Sequence, residues 1–229
     1  MKVGIMQPYF FPYIGYFQLI HAVDSFVIYD DVNFIKGGWI NRNFILSNGE
    51  KTRITLQLLG ASPNLLIKQI QIGNNCQKLL KTIRQSYAKA PYFQDVIELI
   101  EKILSSKETN LASFLDYGLR QICNYLGLDR EWYISSNLRK DVQLKGQQKV
   151  LAVCNELGTT QYINMPGGKE LYDHASFTEQ DIQLSFIEPR ITSYEQNINE
   201  FIPSLSIIDV MMFNSQLQCQ QMVKEYEIV

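Results

Sequence analysis

VGIMQPYFFPYIGYFQLIHAVDSFVIYDD, residues Val3–Asp31, predicts a strand, a loop, a helix and a second strand. The first strand ends at Gln7, Gly15 lies at the start of the helix, and the second strand ends on Asp30 and Asp31. A strand that leads through a glycine-bearing loop into a helix presents backbone N–H groups to an anion. The second strand brings its carboxylates to the same edge of the sheet, where ligands of open α/β sheets bind. The alternative is an amphipathic βαβ unit that only builds core.

The composition argues against several classes of function. The chain has 229 residues, and its formal charge of −2 gives no basic footprint for nucleic acid. No segment approaches the roughly 18 apolar residues that span a bilayer. The N-terminus lacks the features of a signal peptide, so we expect a cytoplasmic protein without membrane insertion. The four cysteines have no CxxC spacing and predict reduced core thiols. They do not predict a zinc site, and the sequence leaves the cofactor and any metal requirement unknown.

Patterns along the chain predict an α/β fold with a mixed or mainly parallel sheet, an N-terminal βαβ unit, a β-hairpin and a helical insertion. Asn48-Gly49 between two alternating runs is typical of a two-residue hairpin turn. Residues from about 75 to 127 carry three helical stripes, with Asn110 as an N-cap and Gly127 at the end. Leu66–Ile72 predicts another strand. Further strands are predicted at Trp132–Ser135, Gln161–Asn164 and Ile182–Ile187, and further helices at Gln147–Leu157 and from about Gln216.

The segment after the second strand concentrates side chains suited to binding: Asp30, Asp31, Lys36, Trp39, Arg42 and Asn43. Arg42 offers a planar fork for phosphate or carboxylate, and Lys36 offers a point charge. Trp39 suits stacking on a sugar or a base. Carboxylates beside asparagines suit sugar hydroxyls, or Mg²⁺ next to a phosphate. The alternative is an internal Asp–Arg ion pair that steadies the loop before the hairpin.

Two other places carry candidate binding residues. In the first loop, Gln7 offers an amide to a ligand at the end of the strand, and Tyr16 belongs to the same aromatic segment. In the later turn PGGK, Gly167 and Gly168 follow a predicted strand and suit a backbone nest for an anion, with Lys169 nearby. This turn lacks the spacing of a P-loop, and the alternative is an ordinary turn.

The first loop and its helix resemble the nucleotidyltransferase-like folds, in which two loop histidines contact the nucleotide phosphates. Here phenylalanine or tyrosine fills those places, and His21 lies well inside the predicted helix. This departure argues against adenylyl transfer by the histidine route.

A more specific resemblance spans nearly the whole chain. Its blocks, in order, are QPYFFPYIGYFQLI, DSFVIYDDVNFIKGGWINRNFI, YAKAPYF, PGGKELYD and SLSIIDVMMFN. They are similar to the WbqC-like protein family, which implies a bacterial protein associated with O-antigen, lipopolysaccharide and other surface-polysaccharide gene clusters. Together with the helical stripes, this coverage predicts a single WbqC-like α/β domain over residues 1–229, with a helical subregion at about 75–127. The resemblance implies no settled reaction and no established catalytic residues.

The resulting hypothesis is an enzyme acting on an activated or nucleotide-linked sugar, such as an acyl or aminoacyl transferase. Arg42 and Lys36 would bind phosphate or carboxylate, and Asp30 or Asp31 would serve as base or sugar-hydroxyl acceptor. Gln7 and Asn43 would orient the substrate. The expected partner is a small activated sugar or glycan precursor, and a homo-oligomer is compatible with the sequence. The competing hypothesis is a non-catalytic assembly protein that binds a glycan or a partner.

Overall fold

The structure, a computed structural model, describes all 229 residues, Met1–Val229, and contains ten strands and eight α-helices. The strands are β1 (Lys2–Met6), β2 (Ser25–Ile28), β3 (Arg42–Ser47), β4 (Glu50–Thr55), β5 (Leu58–Leu59), β6 (Gln71–Ile72), β7 (Glu131–Ile134), β8 (Gln161–Asn164), β9 (Gln183–Pro189) and β10 (Tyr226–Ile228). The α-helices are α1 (Ile14–Ala22), α2 (Cys76–Tyr87), α3 (Phe93–Leu104), α4 (Leu111–Tyr125), α5 (Gly146–Glu156), α6 (His174–Thr178), α7 (Ile207–Phe213) and α8 (Gln216–Met222).

Six strands form the central sheet in the order β10-β9-β8-β1-β2-β7. Neighbouring strands are parallel except for β10, which runs antiparallel to β9 along one edge. The register of β1 on β2 pairs Val3 with Ser25 and Met6 with Ile28, so β1, α1 and β2 form the predicted βαβ unit. Every residue of β2 is buried, as expected for a strand covered on both faces. The predicted α/β fold with a mainly parallel sheet is confirmed.

Helices cover both faces of this sheet. One face carries a core of 48 buried residues, to which α1, the helical insertion, α7 and α8 contribute. The other face carries a core of 12 buried residues under α5 and α6. Because β7 and β8 are strands of one parallel sheet, α5 between them runs back against the strand direction. Its N-terminus therefore lies at the carboxyl edge of the sheet, which matters for the site below.

The predicted hairpin is formed by β3 and β4, which pair outside the central sheet. Its two turn residues, Asn48 and Gly49, have φ angles of 51° and 78°. Positive φ at both central positions is what the twist-compatible hairpin turn requires, and Asn-Gly adopts it at low cost. This hairpin is confirmed.

The predicted helical insertion corresponds to α2, α3 and α4. The side chain of Asn110 accepts a hydrogen bond from the backbone N–H of Ser113 at 3.2 Å, which caps the start of α4. Gly127 follows the helix with a φ of 68°, the left-handed conformation common after a helix end. Both predicted boundary residues are confirmed.

The predicted strand Leu66–Ile72 is wrong over most of its length. A 3₁₀ turn occupies Ile67–Gln69, and only Gln71–Ile72 forms a short strand, paired with β5. The backbone N–H groups of Ile67 and Lys68 donate to the carbonyls of Val32 and Asp30, at 2.9 and 3.0 Å. These long-range hydrogen bonds replace a regular ladder and place Lys68 beside the end of β2.

The predicted strands and helices after residue 130 lie within about two residues of their predicted bounds. All four cysteines are free thiols, three of them buried and Cys76 half-buried. No helix combines the length and the apolar character needed to cross a membrane.

Candidate functional site

The strand order creates a crevice at the carboxyl edge of the sheet. The chain runs from β1 outward to β2 and β7, and then returns to β8 on the opposite side of β1. Ligands of open α/β sheets bind where the order reverses in this way, outside the carboxyl ends of the strands. Gln7 follows β1 at this edge, Asp30 and Asp31 follow β2 after one intervening residue, and Ser135 follows β7.

Asp31 forms ion pairs with two lysines in the interior of this edge. Its Oδ2 lies 3.1 Å from Nζ of Lys140 and 3.5 Å from Nζ of Lys149. Lys149 also donates to the backbone carbonyl of Asp31 at 2.8 Å, and Lys140 donates to the carbonyl of Ser135. All three charged side chains are less than one-tenth exposed. The carboxylate therefore gathers two buried positive charges at the end of β2.

The pKa of the Asp31 carboxyl reflects this setting. Burial acts to raise the pKa, but the adjacent Ser135 hydroxyl and the ammonium groups of Lys140 and Lys149 lower it more strongly. The net pKa lies below its ordinary value. Asp31 is therefore ionised at neutral pH and serves as an electrostatic anchor for the lysines.

A cavity of about 450 Å³ opens beside these ion pairs. Four lysines and one aspartate give its lining a formal charge of +3, whereas the whole chain carries −2. We refer to it as the lysine cleft, and its charged lining residues are Asp31, Lys68, Lys140, Lys145 and Lys149. Lys68 and Lys145 are exposed, so their ammonium groups are accessible to a ligand.

The N-terminus of α5 lies at the same cleft. Lys145 is its N-cap residue, no side chain caps the helix start, and its first turn contains no acidic residue. Gly146 also lines the cleft. The first N–H groups of a helix carry a partial positive charge that favours an anion. Because lysines at this end are unfavourable without a counterion, the helix start and the lysines together favour a bound anion.

Asp30 points to a neighbouring cavity of about 510 Å³, which shares Lys68 and Ser136 with the lysine cleft. The Asp30 carboxylate accepts hydrogen bonds from the backbone N–H of Ser136 at 2.9 Å and from its hydroxyl at 2.6 Å. These bonds tie the end of β2 to the segment after β7. The two consecutive carboxylates therefore border different cavities.

The predicted cluster after β2 is divided by the structure. Arg42 donates from Nε to the carbonyl of Gly38 at 2.9 Å, so it steadies its own loop without a carboxylate partner. Lys36 is exposed and lines neither of the cavities described so far. Trp39 and Asn43 line a separate cavity of about 340 Å³. We refer to it as the aromatic cleft, lined by Tyr9, Pro12, Tyr13, Trp39, Asn43, Lys51 and Ser204.

Asn43 connects this hairpin to the first loop. It is buried, and its Nδ2 donates to the carbonyl of Phe11 at 2.6 Å and to that of Phe10 at 3.3 Å. Its Oδ1 accepts from the backbone N–H of Phe44. The amide therefore holds the loop and has little capacity left for a substrate.

The first loop is packed against the core rather than open to an anion. Tyr16 is buried and donates its hydroxyl to the carbonyl of Gln7 at 2.9 Å. A Cβ atom at Gly15 would lie only 2.5 Å from the ring of Tyr13. The space beside this glycine is therefore filled by the Tyr13 ring and is not open to an anion. The buried residues Ile14 to Tyr16 form the start of α1, so the backbone N–H groups of its first turn are not accessible to an anion.

The PGGK turn lies in a 3₁₀ segment, Pro166–Leu171, directly after β8. Gly168 is buried, and a Cβ there would lie 2.4 Å from Nδ2 of Asn164. Gly167 has no atom within 4 Å of the corresponding position. Lys169 pairs with Glu188 at 3.2 Å on the exposed surface. None of these residues lines the lysine cleft or the aromatic cleft.

The cysteines and histidines lie outside the lysine cleft. Burial raises the pKa of the Cys154 and Cys219 thiols to about 12, so neither is a thiolate at neutral pH. His21 shares a hydrogen bond of 2.9 Å with the hydroxyl of Tyr226. The cleft therefore contains no cysteine–histidine or serine–histidine pair for covalent catalysis.

Sequence reasoning missed the lysines that line the cleft: Lys68, Lys140, Lys145 and Lys149. One signal for this site was present in the sequence: Lys145 and Gly146 lie directly before a predicted helix. The strand, loop and helix order of the first unit is repeated there. Lys140 and Lys149 carry no local signal, since only the fold brings them to Asp31.

Comparisons with known proteins give a family context. The model of the WbqC-like protein family matches residues 7–221. The chain is similar to an uncharacterised protein of Mycobacterium tuberculosis (strain ATCC 25618 / H37Rv), with 28% identity over 218 residues that cover 93% of each chain. No solved structure matches the chain.

Proposed function

Since the chain belongs to the WbqC-like protein family, we propose that it is a cytoplasmic enzyme of bacterial surface-polysaccharide (O-antigen) precursor biosynthesis. Its substrate is an activated sugar, such as a nucleotide-linked sugar, whose phosphate groups bind in the lysine cleft. The family membership supports the proposed biological context, and the charge of the cleft supports the proposed substrate class.

The single observation that carries this proposal is the charge of the lysine cleft. Its formal charge of +3, next to the uncapped N-terminus of α5, suits the phosphate groups of an activated sugar. Its volume of about 450 Å³ falls within the range of roughly 300–1,000 Å³ typical of small-molecule sites.

The residues take the following roles in this proposal. The exposed Lys68 and Lys145 bind the phosphates directly, in place of Arg42 and Lys36. Asp31 positions the two buried lysines. Asp30, which borders the adjoining cavity, is the carboxylate that accepts a hydrogen bond from a sugar hydroxyl.

The reaction that we propose is transfer of an acyl or aminoacyl group to the sugar. A hydroxyl or amine of the sugar attacks the acyl carbon, the leaving group of the donor departs with the bonding electrons, and the attacking group releases its proton to a carboxylate or to water. A direct attack of this kind suits a cleft without a cysteine–histidine or serine–histidine pair.

A second candidate function is a non-catalytic assembly protein that holds a glycan intermediate or a partner. One observation favours it: both carboxylates at the end of β2 are already engaged. Asp31 pairs with two lysines and Asp30 accepts two hydrogen bonds from Ser136, so neither is a free general base.

A thermal-shift panel followed by product analysis separates the two functions. Sugar nucleotides, sugar phosphates, free sugars, ATP and acyl-CoA are each added at millimolar concentration, because a ligand of the folded state raises its stability. We expect the phosphate-bearing sugars to raise the melting temperature and free sugars to raise it less.

Mass spectrometry of mixtures of a stabilising sugar with acyl or aminoacyl donors then detects transfer. A modified sugar supports the enzyme, and stabilisation without any product supports the assembly protein. If no phosphate-bearing compound stabilises the protein, the proposed use of the lysine cleft is wrong.

A further inference from the structure

We propose that the aromatic cleft is a second binding site, which takes the ring of an uncharged sugar. Its volume of about 340 Å³ is sufficient for one small ligand. It shares no lining residue with the lysine cleft. The proposal therefore rests on this cleft alone and not on phosphate binding.

Trp39 provides an exposed aromatic surface. Its side chain is 48% exposed, which is high for so large an apolar group. The ring packs edge-on against Phe44, with centroids 6.0 Å apart, and the Trp39 carbonyl accepts a hydrogen bond from Phe10 at 3.4 Å. The contact with Phe44 restricts the indole, which reduces the side-chain entropy that is lost when a ligand covers it.

Two tyrosines add polar groups to the same cleft. The hydroxyls of Tyr9 and Tyr13 form no hydrogen bond with the protein, whereas that of the neighbouring Tyr16 is used by Gln7. Burial, together with the nearby Tyr9, raises the pKa of Tyr13 to about 12, and burial also raises the pKa of Tyr9. Both hydroxyls therefore remain neutral and available to hydrogen-bond a ligand across the physiological pH range.

The walls of the cleft are held in one arrangement. The ring of Tyr13 occupies its position only because Gly15 has no Cβ. Phe11 and Ser204, in the two segments that border the cleft, have φ angles of 45° and 56°. Non-glycine residues in this left-handed region are strained and persist where the surrounding structure holds them, often at ligand sites. Here, hydrogen bonds from Asn43 and Ser206 to the Phe11 carbonyl hold Phe11 in this conformation.

The chemistry of the lining favours a sugar ring over other small ligands. A pyranose has an apolar C–H face that packs on an aromatic ring and a rim of hydroxyls that needs neutral partners. No carboxylate lines the cleft to bind an amine, and Lys51 is the one charged lining residue. A nucleobase is recognised by hydrogen bonds between its edge and groups such as amides. The Asn43 amide already forms hydrogen bonds with the backbone of Phe11 and Phe44.

The proposal is tested with probes that carry no phosphate. Methyl pyranosides and neutral disaccharides are titrated into the full-length protein and followed by saturation-transfer NMR and tryptophan fluorescence. We expect at least one to bind, and Trp39→Ala to weaken that binding about tenfold, as the loss of one stacking contact would. Gly15→Ala should also weaken it, because the new methyl group displaces the ring of Tyr13.

Two variants serve as controls. Leu171→Ala truncates an exposed apolar side chain outside the cleft, and Lys145→Gln alters the lysine cleft; neither should affect the binding of neutral sugars. Three results would overturn the proposal: no pyranoside binds, binding survives Trp39→Ala, or adenosine or uridine binds more tightly than any pyranoside in a Trp39-dependent manner. Because the probes are uncharged, none of these results bears on phosphate binding by the lysine cleft.

Discussion

Asp31 compensates two buried ammonium groups that would otherwise repel each other. Its Oδ2 lies within 3.5 Å of both Lys140 and Lys149. Removing one member of a buried ion pair leaves a desolvated charge without a partner and costs about 3–5 kcal/mol. The positions of the two buried ammonium groups in the cleft therefore depend on this one carboxylate.

Replacing Asp31 by Asn should destabilise the folded protein by roughly 3 kcal/mol at neutral pH, because both lysines lose their counterion. The effect has a defined pH dependence. The pKa of Asp31 is lowered on folding, so its contribution to stability is full above the unfolded pKa of about 3.9 and is lost as the pH falls through the folded pKa.

Urea unfolding of the wild type and of Asp31→Asn between about pH 6 and pH 3 measures how the stability contribution of Asp31 depends on pH. The difference in their free energies of unfolding should shrink at the acidic end. A difference that stays constant over this range would show that the carboxylate charge does not stabilise the site.

At the residue scale, the sequence indicated where Asp31 would lie but not what it would contact. An acidic residue after a predicted central strand points to the carboxyl edge of the sheet. Lys149, by contrast, is 118 residues further along the chain, and no local pattern links it to Asp31.

At the scale of elements, Tyr87 at the end of α2 joins the helical insertion to two other parts of the fold. Its hydroxyl donates to Oδ1 of Asp209 in α7 at 2.8 Å and accepts from the backbone N–H of Leu46 in β3 at 3.0 Å. Oδ2 of Asp209 accepts hydrogen bonds from Tyr194 and Gln196, both at 2.7 Å. This buried network fixes the hairpin that carries one wall of the aromatic cleft.

Tyr87→Phe should therefore destabilise the protein by about 2 kcal/mol, since it leaves a buried N–H and a buried carboxylate oxygen without their partner. Tyr92→Phe is the control: Tyr92 is the half-buried N-cap residue of α3 in the same insertion, and its hydroxyl, unlike that of Tyr87, forms no hydrogen bond with the protein. Equilibrium unfolding in urea compares the two variants. Equal stability losses would mean that the Tyr87 network is not important for the fold.

The sequence predicts those elements whose conformation is set by their own residues. It does not predict elements whose conformation is set by contacts with distant parts of the chain. Asn48-Gly49 encodes its turn without help from the rest of the fold. Leu66–Ile72 has the apolar content of a strand, but hydrogen bonds to the carbonyls of Val32 and Asp30 impose a 3₁₀ turn on it. Such long-range hydrogen bonds cannot be inferred from a local pattern.

On the scale of the whole molecule, charge and aromatic surface are concentrated in two separate cavities. The sequence pattern predicted one site after β2, yet Asp31 lines the lysine cleft and Trp39 lines the aromatic cleft. The intervening chain leaves the central sheet to start β3, which pairs only with β4. Residues that are close in sequence therefore end in different cavities, and only the three-dimensional fold reveals the division.

We propose that the lysine cleft binds the phosphate groups of an activated sugar, and the whole function assigned to the molecule depends on this binding. Calorimetric titration with inorganic pyrophosphate tests it most directly, using the wild type, a Lys68→Gln/Lys145→Gln double variant and Lys81→Gln as a control. Lys68 and Lys145 are exposed in the cleft, and Lys81 is exposed on α2 outside it.

We predict that the wild type and Lys81→Gln bind pyrophosphate equally, and that the double variant binds at least about tenfold more weakly. Wild-type binding should also weaken as sodium chloride screens the exposed charges. If the wild type does not bind pyrophosphate, or if the double variant binds it as tightly as the wild type, the lysine cleft is not a phosphate site.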